Sequence, residues 1–446
     1  MSTHEPEPAP ARTAYTQVEV PSGFEGPAAE CAFVPLSGDE VQARLRAVSR
    51  PENAVFDRAR GRRADSVTFQ PCTQYRSQDR YVVQQLDVHG RKWTFTGVFD
   101  GHLGDATVEH TAYHLPIIVK QFLQKALPGP SSPIPGPEVI RDILSQAIIS
   151  FDDAIAGDVL ELFPGGIASL AQRSNEDIRR VINDYDGSGV NYKKAKLCMY
   201  GTTALVALVD PDYQNLWVAN LGDCEAVLVS PTPNGRFKCE VLSDLHNGDN
   251  ESEVQRVRGE HPGEPECVLN GRVLGAIAPF RCIGDAPFKQ PAEFTRRILY
   301  NLYPGIPDSS PWDEFLRRNR TPPYISSRPE VLHRHLQPLV NSVSVNGQLA
   351  PPVQPYFLIL ATDGLTEQYE DFDREDMAED WARCVGSAYY GQAKGSGRPP
   401  HEPDNLALHL LRHALGGDDA VKVSQLLTLD MDTPWMDDVT IIVQVL

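Results

Sequence analysis

Four short acidic stations carry the residues best suited to chemistry: Asp100-Gly101-His102, Gly222-Asp223, Asp363-Gly364 and Asp437-Asp438. Each follows an apolar, β-like run or sits in the turn beside one. Mg²⁺ and Mn²⁺ are hard cations that take oxygen ligands in octahedral geometry and keep several waters. Two such ions roughly 3.5–4 Å apart share a carboxylate and generate hydroxide near neutral pH, the nucleophile for in-line attack on phosphorus. Glycine beside a ligating Asp lets the backbone approach the ion. His102, two residues from Asp100, is placed to give a proton to a leaving oxygen.

Each station alone is an ordinary turn, since Asp-Gly after a strand is common loop chemistry. His110 and His114 stand at i and i+4 like a zinc pair, but no His-Glu-x-x-His occurs, so they read as helix-surface residues. Asp152-Asp153 and Asp418-Asp419 read as solvated charges.

The elements that must position the stations follow from periodicity. Residues 81–88 and 92–99 alternate as two strands around the turn at His89-Gly90. Residues 105–127 have a helical pattern, which Pro116 is expected to restart or kink. After a Pro/Gly loop at 128–137, Val139, Ile140, Ile143, Leu144, Ala147, Ile148 and Phe151 repeat at helical spacing. Strands are expected at 202–209, 215–220, 226–229, 237–242, 356–361 and 439–446, and helices at 251–258, 290–302, 373–385 and 405–415. Helices grouped between runs of strands, with no internal repeat, favour α+β layering over a doubly wound parallel sheet.

Bulk properties narrow the field. The 446 residues are 41% apolar, and no apolar run approaches the ~18–20 residues that span a bilayer. A net charge of −19 without a basic stripe argues against nucleic-acid binding and adhesion to anionic membranes. Eight cysteines are scattered singly with no Cys-x-x-Cys, which fits reduced thiols in an intracellular compartment. Residues 1–26, rich in Pro and Glu, read as a disordered tail and make a poor mitochondrial presequence, which should be basic.

The flanks of the stations turn them into a pattern. Phe95-Thr-Gly-Val-Phe-Asp-Gly-His-Leu-Gly104, Gly201-Thr-Thr-Ala204, Ala219-Asn-Leu-Gly-Asp-Cys-Glu-Ala-Val-Leu228, Leu360-Ala-Thr-Asp-Gly-Leu365 and Asp437-Asp-Val-Thr-Ile-Ile-Val443 occur in that order. This resembles the type 2C, metal-dependent Ser/Thr protein phosphatases over about residues 70–446. Residues 242–250, 272–289, 321–324 and 411–415 are similar to the pyruvate dehydrogenase phosphatase-like branch.

The resemblance implies a four-layer α-β-β-α sandwich: two central, mainly antiparallel sheets flanked by helices. It implies residues 1–30 as a tail and 31–446 as one catalytic domain, with loop insertions near 286–327 and 387–403. Asp100 would bridge two Mg²⁺ or Mn²⁺ ions, with the Gly101 carbonyl on the first and Asp363 and Asp437 completing the second. Asp223 with Asp363 would hold a weaker third ion, and Asp79 would act through a water. His102 would be the general acid.

The chain departs from the family pattern at several places. Gln78-Asp79 replaces Glu-Asp, and position 74 is Gln where many members carry a phosphate-binding Arg, a role left to Arg76 or to the metals alone. Leu103 replaces a small residue and is expected to crowd the cleft mouth; Cys224-Glu225 stands where Ser-Arg is common. For Arg281 an ion pair with Asp285 is expected ahead of a substrate contact. The expected function is hydrolysis of phosphoserine and phosphothreonine in proteins. The alternatives are a catalytically silent, phosphatase-like binding protein and a small-molecule phosphohydrolase. The expected partner is a phosphoprotein, with no nucleic acid and no membrane insertion, for a monomer open to a docking partner. The expected compartment is the cytoplasm, with the mitochondrial matrix as the alternative.

Overall fold

A computed structural model describes residues 13–18, 29–232, 237–306, 312–336, 355–394 and 405–446. The chain divides into two units. The smaller comprises Met1–Asn53, Asp65–Ser77 and Gly364–Ile441; the larger comprises Ala54–Ala64, Gln78–Asp363 and Ile442–Leu446.

The larger unit is organised by strand parity. Its first sheet has five antiparallel strands in the order Glu330–His335, Asn215–Leu221, Ala204–Val209, Arg91–Phe99, Arg80–Val88. Successive side chains on a strand point to opposite faces. On the three central strands Trp93, Phe95, Phe99, Ala204, Val206, Leu208, Trp217 and Ala219 go to one face, where they pack with helices Ala106–Ala126 and Pro137–Leu160. Val98, Leu205, Ala207, Val209, Leu216 and Val218 go to the other, against Ala226, Leu228, Leu358, Leu360 and Ile442 of a second sheet. Within this unit that sheet carries Phe237–Val241, Glu225–Pro231 and Phe357–Ala361, in that order. Burial on both faces explains why the central strands read as continuous apolar runs.

The smaller unit contributes helices Gly38–Ser49, Arg374–Lys394, Leu406–Ala414 and Ala420–Thr428. Ser37 and Glu40 form a capping box on the first. Buried Asp65 accepts from Asn53 Nδ2 at 2.7 Å and from the Leu406 amide at 3.0 Å, tying a strand residue to a helix start. The protein is thus an α+β sandwich of antiparallel sheets and helices, as expected. Among the described residues no helix is long and apolar enough to cross a membrane.

Several elements differ from expectation. Helix Ala106–Ala126 runs through Pro116 without interruption. Helix Ala292–Arg297 and the 3₁₀ turn Leu299–Asn301 fall on the helix expected over 290–302, while the rest of segment 286–327, expected as irregular, also holds helices Ala286–Lys289 and Trp312–Arg318. Of segment 387–403, residues 387–394 extend helix Arg374–Lys394 and the rest lies outside the described residues. Most of the expected tail also lies outside them, but Ala14–Val18 pairs with Ala29–Phe33. Asp152 is not a solvated charge: it is 7% exposed and bonds Lys289 Nζ at 2.7 Å.

His110 is also more than a surface residue. Its ring stacks on Phe151, with centroids 5.5 Å apart, and lies 4.3 Å from the His114 ring. Burial, then the neighbouring His114, push its pKa down to about 4, with Asp158 acting the other way. A histidine held neutral in the fold but free to protonate when unfolded binds fewer protons folded, so stability must rise with pH between the two values. We expect unfolding free energy to fall as pH drops from ~6.5 towards 4. His110→Gln should flatten that slope, as checked by urea denaturation across the range.

Candidate metal centre

Three of the predicted ligands converge. Asp100, Asp223 and Asp363 each offer a carboxylate oxygen, and these oxygens lie within 4.8 Å of one another. Asp100 directly follows strand Arg91–Phe99, Asp223 follows Asn215–Leu221, and Asp363 follows Phe357–Ala361. Strand ends combine a rigid base with a backbone that no longer belongs to the ladder, and hydrogen bonds fix what the ladder leaves free.

Asp100 is held through its main chain. Its amide donates to Thr203 Oγ1 at 3.0 Å, and its carbonyl accepts from the Thr203 amide and Thr202 Oγ1, both at 2.9 Å. Gly101 then passes so close to the Gln78 carbonyl that a Cβ would sit 2.6 Å from that oxygen.

The Asp223 turn is clamped by a buried histidine. Gly222, at φ +124°, donates its amide to His246 Nδ1 at 3.1 Å, and the His246 amide donates to the Gly222 carbonyl. Asn220 Nδ2 reaches the Gly222 and Asp244 carbonyls, and Asn247 Nδ2 reaches Asp223 Oδ2 at 3.4 Å. His246 and Asn247 both belong to the run 242–250.

Asp79, 2% exposed, accepts from Thr362 Oγ1 at 2.7 Å, so the residue before Asp363 anchors it beside the cluster. It is not one of the three residues whose oxygens meet. Asp437 lies in the smaller unit, just before the last strand, where its Oδ1 accepts from the Asp438 amide. Gly364 of the third station packs against the fourth, and a Cβ there would come 2.2 Å from the Asp438 carbonyl. Arg76 is exposed in the smaller unit. Gln74 bonds Asp432 at 2.9 Å. Leu103 is 58% exposed with a left-handed φ of 64°, an uncommon geometry for a bulky residue.

The donor set fits a hard cation. Burial raises the Asp223 acid above the ordinary carboxylate range, with Asn247, His102 and His246 pulling the other way. Burial and then the charges of Asp100, Asp363 and Asp223 push the adjacent Cys224 thiol well above its usual value. Like charges gathered out of water resist ionisation unless a cation compensates them. An all-oxygen cluster suits Mg²⁺ or Mn²⁺ better than zinc.

His102 closes the site. Its Nε2 lies 2.7 Å from Oδ2 of Asp285, which is fully buried. Burial opposes protonation of His102, but the Asp285 carboxylate outweighs it, with help from Asp223, and its pKa is raised. The expected Arg281–Asp285 pair does not form. Arg281 instead grips Glu253 in a two-pronged bond, with a further contact to Glu330 at 3.2 Å.

The sequence reading missed Asp285 and His246 as parts of the site, and neither had a local signal.

Comparison with known proteins gives the family. Residues 167–396, just over half of the chain, match the family described as protein phosphatase 2C. A protein phosphatase 2C homolog of Schizosaccharomyces pombe is 27% identical over 428 residues, spanning 92% of this chain and 85% of the homolog. Human mitochondrial pyruvate dehydrogenase phosphatase 1 is 31% identical over 286 residues, covering 57% of this chain and only about half, 49%, of that protein. The solved serine-threonine phosphatase 2C of Toxoplasma gondii shares 16% identity, covering 89% of this chain and 99% of its own, at a TM-score of 0.49. The family match and these relatives define a protein serine/threonine phosphatase. The chain belongs to the protein phosphatase 2C family.

Because His246 Nδ1 is an acceptor for the buried Gly222 amide, its removal leaves that donor unsatisfied at a cost of about 1–3 kcal/mol. We expect His246→Ala to lower the unfolding free energy by at least that much, as measured by chemical denaturation.

Proposed function

We propose that the chain hydrolyses phosphoserine and phosphothreonine in proteins with Mg²⁺ or Mn²⁺. The meeting of Asp100, Asp223 and Asp363 within 4.8 Å, beside a histidine already partnered by a carboxylate, carries this reading. Two core ions would rest on Asp100, the Gly101 carbonyl, Asp363 and Asp437. Asp223 would serve a third, and Asp79 would support the cluster from outside. Bound ions would neutralise phosphate charge and lower the pKa of a water, the nucleophile. His102 would protonate the departing Ser or Thr oxygen. Arg76 remains the side chain we assign to substrate phosphate. Residues 31–446 would act as one catalytic domain on a phosphoprotein, as a monomer.

The relatives named as pyruvate dehydrogenase phosphatases support a branch-level likeness; the physiological substrate is a separate question. All eight cysteines are free, which suits a reducing compartment. We propose the cytoplasm, with the mitochondrial matrix as the alternative. Imaging of the chain fused to a fluorescent protein at its C-terminus decides between them.

The central test measures turnover of p-nitrophenyl phosphate and a phosphothreonine peptide with Mn²⁺, with EDTA, and with Asp100→Asn. Chelation and the substitution should each lower the rate at least ~10²-fold, as loss of several kcal/mol of charge stabilisation implies. Asp100→Asn should also weaken Mn²⁺ binding by calorimetry. Activity that survives EDTA sinks the metal mechanism. A wild type silent on both substrates is a phosphatase-like binding protein, and one that turns over only the small ester is a small-molecule phosphohydrolase.

A further inference from the structure

We infer that Asp285 is the positioning residue for His102: it holds Nε2, so that Nδ1 is the nitrogen that gives the proton to the leaving oxygen. This rests on the general-acid reading above and adds to it a partner and a tautomer.

The two residues meet across a three-stranded patch of two-residue strands: Gly101–His102, Gly201–Thr202 and Ile283–Gly284. His102 pairs with Gly201, and Gly201 pairs with Gly284, so the imidazole and the carboxylate reach towards each other over a glycine. A Cβ on Gly201 would lie 1.8 Å from Asp285 Oδ2 and 2.4 Å from His102 Nε2. No other residue type leaves room for the contact.

Asp285 is itself immobilised. Its backbone is left-handed (φ 50°), and its amide donates to the Tyr200 carbonyl at 2.9 Å. The preceding Gly284 amide donates to Asp152 Oδ1 at 2.7 Å. Lys289 Nζ bonds that same Asp152 oxygen and the Cys282 carbonyl. Cys282 Sγ adds a 2.9 Å contact to Asp285 Oδ2.

A buried carboxylate needs a donor or a cation. The neighbouring cations are committed elsewhere, Lys289 to Asp152 and Arg281 to Glu253 and Glu330. The charged partner of Asp285 is therefore His102. A carboxylate accepts and does not donate, so it selects the Nε2–H tautomer. The proton added on protonation sits at Nδ1. When the ester P–O bond breaks, the oxygen keeps the bonding pair and takes the proton from Nδ1. The imidazole remains neutral, with Nε2–H still donated to Asp285, and solvent restores the proton.

The test separates chemistry from folding through leaving-group dependence and direct observation of the ring. A phosphothreonine peptide has a poor leaving group that needs the proton, and p-nitrophenolate does not. Asp285→Asn should lower kcat on the peptide ~10–100-fold, less than the roughly 10²–10⁴-fold that a general acid itself supplies because Asp285 only positions it, while p-nitrophenyl phosphate changes less than about 3-fold and KM holds. The double variant with His102→Ala should be no slower than His102→Ala alone. Equal losses on both substrates, or losses that multiply in the double variant, overturn the inference. A selective peptide loss in His102→Ala with none in Asp285→Asn overturns it while sparing the general acid. No selective loss in His102→Ala instead fails the general acid itself. Long-range ¹H–¹⁵N correlation spectra of the metal-free wild type need no variant: His102 should show the Nε2–H tautomer, and an Nδ1–H pattern overturns the assignment.

Discussion

Setting three carboxylates within 4.8 Å of one another, partly out of water, is the constraint that the surrounding structure answers. Mutual repulsion would spread them if the chain could yield. It cannot, because each follows a strand whose side chains are buried on both faces. The turns beyond those strands are closed by main-chain hydrogen bonds to Thr202, Thr203 and His246. The free energy that holds like charges together therefore comes from the packing of the sheets whose strands end at the cluster.

Around that cluster, the buried charges are sorted into pairs and one shared acid. Arg281 and Arg256 share Glu253, whose acid is held down to about 2: burial works against ionisation, and the two guanidinium groups outweigh it. Lys289 takes Asp152, and Asp285 is left to His102. Breaking any one buried pair strands a charge, which costs far more than the pair contributes.

Strand alternation and the four stations were legible in the sequence because both are local. A period of two in 92–99, or an Asp-Gly after an apolar run, needs no knowledge of what lies opposite. Pro116 does not restart its helix, which is continuous over 21 residues, because the tolerance of an internal proline depends on tertiary packing that a local pattern does not show. Asp152, His246 and Asp285 were illegible for a related reason. Their partners Gly284, Gly222 and His102 stand 132, 24 and 183 residues away, and nothing in the local pattern distinguishes a paired buried acid from a solvated one. Arg281 was matched to the acid nearest in sequence, and the fold gave it one 28 residues back.

Gly201 makes a ruler of the small three-stranded patch. Adjacent strands repeat at about 4.8 Å, so two spacings, roughly 10 Å, separate the backbones from which the imidazole and the carboxylate extend. That span is set by peptide hydrogen bonds and not by adjustable side-chain packing. A histidine reaching from one side and an aspartate from the other fill it. The donor and its acceptor are thereby gauged to each other by main-chain geometry, and the gap between them admits no substituent larger than hydrogen.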